Sequence, residues 1–174
     1  RILAGISTMC GHKCSDGRLV DEHRANQLAM SKVGAVTVVI TWLGHEDDKV
    51  QTEATRALLA IAINNYTTQV QIAKVEGLRG LIAIINHGCV EAQEFAAQAL
   101  WHLASDKTIQ KRIAGEKGVA ALVCMLQDSG ERGAELAALA LVRLAQGNPA
   151  VSVTVADAGG ILPLVNLLGL GGEA

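Results

Sequence analysis

Aromatic side chains are almost missing from this sequence: it holds one phenylalanine, one tyrosine and two tryptophans in 174 residues. Any core must therefore be built from aliphatic side chains. Proline is as scarce, at two residues, so few positions refuse a helix. An excess of one charge sign is lacking too. Fifteen Lys and Arg face 17 Asp and Glu, for a net charge of −2 and an isoelectric point near 6.2. No dense cationic stripe appears, and binding nucleic acid through its phosphates would need one, so no nucleic-acid partner is expected. Apolar runs such as 33–43 are too short to span a bilayer. No leader with a charged start and an apolar stretch opens the chain, and its first residue is Arg1 rather than Met. We expect an intracellular piece of a longer protein, in the cytoplasm or the nucleus.

What is abundant is alanine, leucine, valine and isoleucine. Half of the residues are hydrophobic and the mean hydropathy is +0.30, too apolar for a disordered chain. Alanine and leucine are the strongest helix formers of the set. Cys89 and Cys124 fall inside apolar helical patterns, where a free cysteine behaves as a small hydrophobe. A large aliphatic core does not need disulfides, so free thiols are expected for these and for Cys10 and Cys14.

The sequence repeats itself. The segments 53–62, 95–104 and 136–145 align without gaps at offsets of 42 and 41 residues. A second set, beginning at Gly34, Gly77, Gly118 and Gly160, recurs every 41 to 43 residues. Helical units at this period point to armadillo or HEAT arrays. Each unit reads as three helices. In the last of them Ala96, Ala99, Leu100 and Leu103 lie at i, i+3, i+4 and i+7, which is one helical face. The matching positions in the neighbouring units are Ala54, Ala57, Leu58 and Ile61, then Ala137, Ala140, Leu141 and Leu144. Asp48 with Gln51, and Asp128 with Glu131, have capping-box spacing. Asn148-Pro149 has the pattern of an N-cap followed by proline at the first helical position. The four glycines are expected at a sharp turn between a short first helix and an apolar second helix, where a side chain would obstruct close approach.

Three segments carry a family resemblance. Residues 158–168, Ala-Gly-Gly-Ile-Leu-Pro-Leu-Val-Asn-Leu-Leu, resemble the turn and second helix of the armadillo repeat. Residues 26–36 resemble its first helix and turn, and 93–100 the start of its third helix. The likeness runs from about Ile2 to Leu168; HEAT repeats are the near alternative, and the glycine turn of a three-helix unit favours armadillo. The resemblance implies an all-α, right-handed α-solenoid whose third helices line a concave groove for extended peptides. The importin-type members pair a tryptophan with an asparagine four residues later on those helices. Here the pairs are Arg56/Ala60, Gln98/His102 and Leu139/Arg143, so that ladder is absent.

The register divides the chain, a single array over 1–174, into five parts. A partial repeat and the next first helix occupy 1–32, whole units 33–66, 67–107 and 108–147, and a partial terminal repeat 148–174. Between Ser7 and Met30 the first part carries 13 or 14 more residues than its counterparts, which places a polar surface loop at 8–24. Apolar ends without polar caps predict either head-to-tail self-association or continuation into further repeats.

Chemistry-bearing residues are few. Cys10, Cys14 and His23 are weak zinc candidates, because a second close ligand pair is missing; no metal and no cofactor are expected. His45-Glu46-Asp47-Asp48 gathers acids, but consecutive acids ahead of a helix are explained by charge at its N-terminus. No phosphate loop and no arrangement resembling a catalytic triad occurs, and no enzyme is expected. Trp101 and Trp42 align with aliphatic residues in other units and are expected in the core. About 100° per residue puts Gln98 and His102 opposite the buried face of the middle third helix. Their equivalents bring up Arg56 and Arg143. These four are the candidate ligand row, facing a protein or peptide partner that carries acidic residues. A purely structural segment of a larger assembly is the rival reading.

Overall fold

A computed structural model describes residues 25–30, 32–167 and 169. The chain is all-α, with no strand among the described residues. Residues 25–30 are helical. Then follow α1 (Ala35–Thr41), which runs into a short 3₁₀ turn (Trp42–Gly44), α2 (Asp48–Ala62), α3 (Tyr66–Lys74), α4 (Gly77–His87) and α5 (Val90–Leu103). Next come α6 (Lys107–Gly115), α7 (Gly118–Asp128), α8 (Glu131–Ala145), α9 (Pro149–Asp157) and α10 (Ile161–Leu167). The cycle is a short helix, a medium apolar helix and a long one.

The long third helices α2, α5 and α8 pack side by side as a row, α5 lying between the other two. A second row, α1, α4 and α7, packs against them, and α10 continues it beside α7. The short helices α3, α6 and α9 join the rows. All extensive packing is between neighbours in the array, as a quasi-one-dimensional repeat protein requires.

The core sits between the rows. The twelve positions read from the helical period are all sealed: Ala54, Ala57, Leu58, Ile61, Ala96, Ala99, Leu100, Leu103, Ala137, Ala140, Leu141 and Leu144 are each at most 1% exposed. Alanine at i and i+3 of each third helix keeps the face low enough for neighbouring helices to approach, and leucine or isoleucine at i+4 and i+7 fills the core between them.

The hinge between first and second helix is a single left-handed residue at Gly34, Glu76, Lys117 and Gly159, with φ of 76°, 62°, 63° and 77°. The residue after it enters the helix against the preceding turn. A Cβ on Gly77 would lie 2.6 Å from the Ile72 carbonyl oxygen, and one on Gly118 would lie 2.8 Å from that of Ile113. Two different demands therefore fall on adjacent residues. Gly34 satisfies the first, so it is equivalent to Glu76 and not to Gly77 as the sequence alignment had it. Ala35 takes the second place.

The helix starts also differ from the capping-box spacing. Asp47 caps α2, accepting from the Lys49 N–H at 2.8 Å. Gln51 instead donates to the Leu43 carbonyl at 2.9 Å. Asp128 ends α7, and α8 begins after Gly130 with no side-chain cap. Asn148-Pro149 does open α9, but the Asn148 side chain makes no capping bond.

A register of glutamines ties successive units together. Within a unit, Gln93 donates to the Ile85 carbonyl at 3.0 Å, as Gln51 does to Leu43 in the unit before. On the first helices, Gln27, Gln69 and Gln110 are each at most 5% exposed. Gln27 donates to the carbonyls of Ala60 and Ile63 at 2.8 and 3.0 Å. Gln69 donates to Ala62 at 2.8 Å and accepts from the Ser105 hydroxyl at 3.2 Å. Gln110 donates to Ala104 at 2.9 Å and to Arg143 at 3.1 Å. These are carbonyls a helix leaves unpaired at its C-terminal end; Gln110, and Gln69 through Ser105, link one third helix to the next, while both Gln27 bonds go to the end of α2. The fourth place in this register is Ser152, which is exposed.

Candidate functional site

The outer faces of α2, α5 and α8 carry the residues the sequence singles out. Arg56, Gln98, His102 and Arg143 are all half-buried. Arg56 stands on α2 and is bound within its own helix, its Nη2 donating to Glu53 Oε1 at 2.7 Å. Its Nε is buried without a partner.

The other three gather around Trp101. The His102 ring meets the Trp101 ring edge-on, with centroids 4.5 Å apart and an interplanar angle of 71°. From α8, the Arg143 guanidinium carbon lies over the Trp101 ring at 4.8 Å from its centroid, inside the range of a cation–π contact. Beside this stack, Gln98, Trp101, Leu136 and Leu139 line a pocket of about 230 Å³ between α5 and α8. Toward the N-terminal ends of the same two helices, Arg132 Nε pairs with Glu94 Oε2 at 2.9 Å.

Trp101 is thus no core residue. It is half-buried and packs only at the margin of the core. Its equivalent Leu59 is 4% exposed, because the neighbouring third helix α5 covers it; Val142 is 64% exposed, and no third helix follows it among the described residues. At Trp101 the neighbour α8 is present, but the indole is larger than the space closed by Leu136 and Arg143. The one signal in the sequence was a tryptophan at a place where the other units carry aliphatic residues. Trp42 is likewise half-buried against the core.

The electrostatics of this face are uneven. Of the three arginines on α2, α5 and α8, Arg56 is paired with Glu53 and Arg132 with Glu94. Arg143 has no carboxylate partner among the described residues and stacks on Trp101 instead. A permanent cation without a carboxylate partner beside an apolar pocket is suited to a carboxylate next to an apolar group.

The remaining candidates lie elsewhere. Asp47 of the acidic run is the α2 cap, and its own N–H donates to His45 Nδ1 at 3.0 Å. Among the described residues, no group of three or more His, Cys, Asp and Glu could hold a metal; Cys10, Cys14, His23 and the 8–24 insertion lie outside them. Cys89 and Cys124 are free thiols. No single helix among the described residues is long and apolar enough to cross a membrane.

No family model matches the sequence, and no curated protein matches it. Solved structures do match. An engineered protein aligns over 97% of this chain and 74% of its own, with a TM-score of 0.80 and 28% identity. A designed armadillo repeat protein, solved in complex with the peptide (KR)4, aligns over 99% of this chain and 77% of its own, with a TM-score of 0.79 and 20% identity. ARO, an armadillo-repeats-only protein from Plasmodium falciparum, aligns over 82% of this chain and 59% of its own, with a TM-score of 0.67 and 15% identity. With three-helix units recurring every 41 or 42 residues, a left-handed hinge in each and the third helices set side by side, the chain is an all-α solenoid of armadillo-type repeats.

Proposed function

We propose that this chain is a protein-binding scaffold, not an enzyme, and that the outer face of α2, α5 and α8 receives an extended segment of a partner protein. The observation that carries the reading is the open pocket at Trp101, flanked by Gln98, His102 and Arg143 on two adjacent third helices. A half-buried indole beside a pocket and an arginine without a carboxylate partner among the described residues point to a use for this face, because aromatic and arginine side chains are the groups that dominate binding hot spots. The row geometry adds one contact position per repeat. A designed protein of the same fold holds a peptide, which supports this use of the architecture.

The test is an affinity capture from the source cell, with identification by mass spectrometry, using the wild-type chain, Trp101→Ala and the double variant Arg56→Ala/Arg143→Ala. Asn86→Ala, on α4, is the control. Partners retained by the control and lost by the two others support the reading. An unchanged set across all variants removes it.

A second reading, stacking of copies along the array axis, is favoured by α10. That helix buries none of its residues, and Ile161 and Leu162 are 55% and 68% exposed. Light scattering that shows a strict monomer at high concentration would dismiss it.

A further inference from the structure

The pocket at Trp101 carries more information than the presence of a binding face, because the chain's own Arg143 already occupies the position over the indole ring. We propose that the Trp101–Arg143 stack is a charge filter: it admits a peptide in which an apolar side chain adjoins a carboxylate, and it turns away lysine- and arginine-rich peptides. This rests on the proposed use of the third-helix face as a peptide site.

An exposed indole is the best cation receptor among the side chains. Were Trp101 bare, a peptide lysine or arginine would stack on it. Arg143 holds that ring face at 4.8 Å, and its charge is permanent. An incoming cation meets a like charge and finds its stacking surface taken. The stacked guanidinium pairs with no carboxylate among the described residues, and its planar fork of N–H donors matches a carboxylate in two parallel bonds. No acid of this chain competes for it among the described residues: Glu53 is engaged by Arg56, and Glu94 by Arg132.

The pocket beside the stack selects the second half of the ligand. Its volume, about 230 Å³, is below the roughly 300 Å³ at which pockets for whole small molecules begin, so it suits one side chain. Leu136 and Leu139 supply aliphatic walls and Trp101 an aromatic one. The amide of Gln98, at the same pocket, is able to bond a peptide backbone. The (KR)4 complex of a designed relative shows that this architecture tolerates a cationic peptide. The choice of charge is therefore set by the side chains on the scaffold.

The experiment is fluorescence polarisation with three labelled octapeptides, alternating Glu-Leu, alternating Gln-Leu and (KR)4, on the wild-type chain, Arg143→Ala, Arg143→Glu and Trp101→Ala, each checked for helicity by circular dichroism. The wild type is expected to prefer Glu-Leu over Gln-Leu by roughly tenfold, the range for a hydrogen-bonded charge pair, and to bind (KR)4 more weakly than either. Arg143→Ala should erase the gap between Glu-Leu and Gln-Leu. Arg143→Glu should reverse the order, with (KR)4 the tightest. Trp101→Ala should weaken Glu-Leu and Gln-Leu alike. If peptides bind the wild type without preference for Glu-Leu, or if Arg143→Ala leaves the ratio intact, the filter is wrong and the groove reading survives. If none of the three binds the wild type, both fail.

Discussion

Gln110 offers the sharpest test of what holds successive units in register. Its side chain is buried, and its amide donates to the Ala104 carbonyl at the end of α5 and to the Arg143 carbonyl near the end of α8. Leucine at this position has similar bulk but no donor. Gln110→Leu removes two hydrogen bonds and strands both acceptors, at about 1–3 kcal/mol each with the lost bond included, or about 4 kcal/mol together at the middle of that range. Some of that loss is recovered, because apolar atoms replace a buried amide and the carbonyls gain partial access to water; about 1–2 kcal/mol is a fair allowance. The expected net destabilisation is therefore about 2–3 kcal/mol. With a urea slope of about 1–3 kcal/mol/M for a chain of this size, the unfolding midpoint should fall by about 1–2 M at unchanged slope. Urea titration followed by circular dichroism reads this directly. Lys111→Ala, next in sequence and exposed, is the control and should stay within about 0.5 kcal/mol. A loss below about 0.5 kcal/mol for Gln110→Leu would mean that water satisfies both carbonyls and that the glutamine register is incidental to the stacking of units.

The hinge predicts opposite signs for adjacent residues. Lys117→Gly should stabilise by about 0.5–1 kcal/mol, since Lys117 sits at φ 63° and only glycine takes that conformation without strain. Gly118→Ala should destabilise by about 1–3 kcal/mol, because the new Cβ would lie 2.5 Å from Ile113 Cγ2 and 2.8 Å from its carbonyl oxygen; thermal unfolding of the pair checks both. Leu100→Ala, at a site with no exposure in the central third helix, should cost about 2–5 kcal/mol in the same assay. Glu116, bridged by Arg79 at 3.0 Å and by Arg112 at 3.6 Å, lies between exposed partners, so Glu116→Gln should cost less than about 1 kcal/mol and nothing measurable at high salt.

The sequence alone determined the helices, their order within a unit, the period and the buried face of each third helix. All of these follow from local periodicity. An alanine or leucine at i, i+3, i+4 and i+7 can be sealed in only one way once a neighbour is present, and a repeat supplies that neighbour by construction. Gln98, His102 and Arg143 could be named from the same wheel, because a residue opposite a buried face faces outward whatever lies beyond. Tertiary structure decided everything that depends on the distance between units. Glycine identity alone could not tell Gly34, which supplies a left-handed φ, from Gly77, which supplies clearance. Asp47 rather than Asp48 became the cap, since the choice turns on one residue of helix start. Arg56 found Glu53 on its own helix while Arg143 crossed to Trp101 on another, and Trp101 stayed half-open because α8 met it with Arg143 and Leu136 and could not close over an indole. Trp101 and its partners Leu136 and Arg143 lie about forty residues apart in the chain, roughly one repeat period. No pattern within a single helix encodes their meeting, which is fixed only when one unit packs against the next.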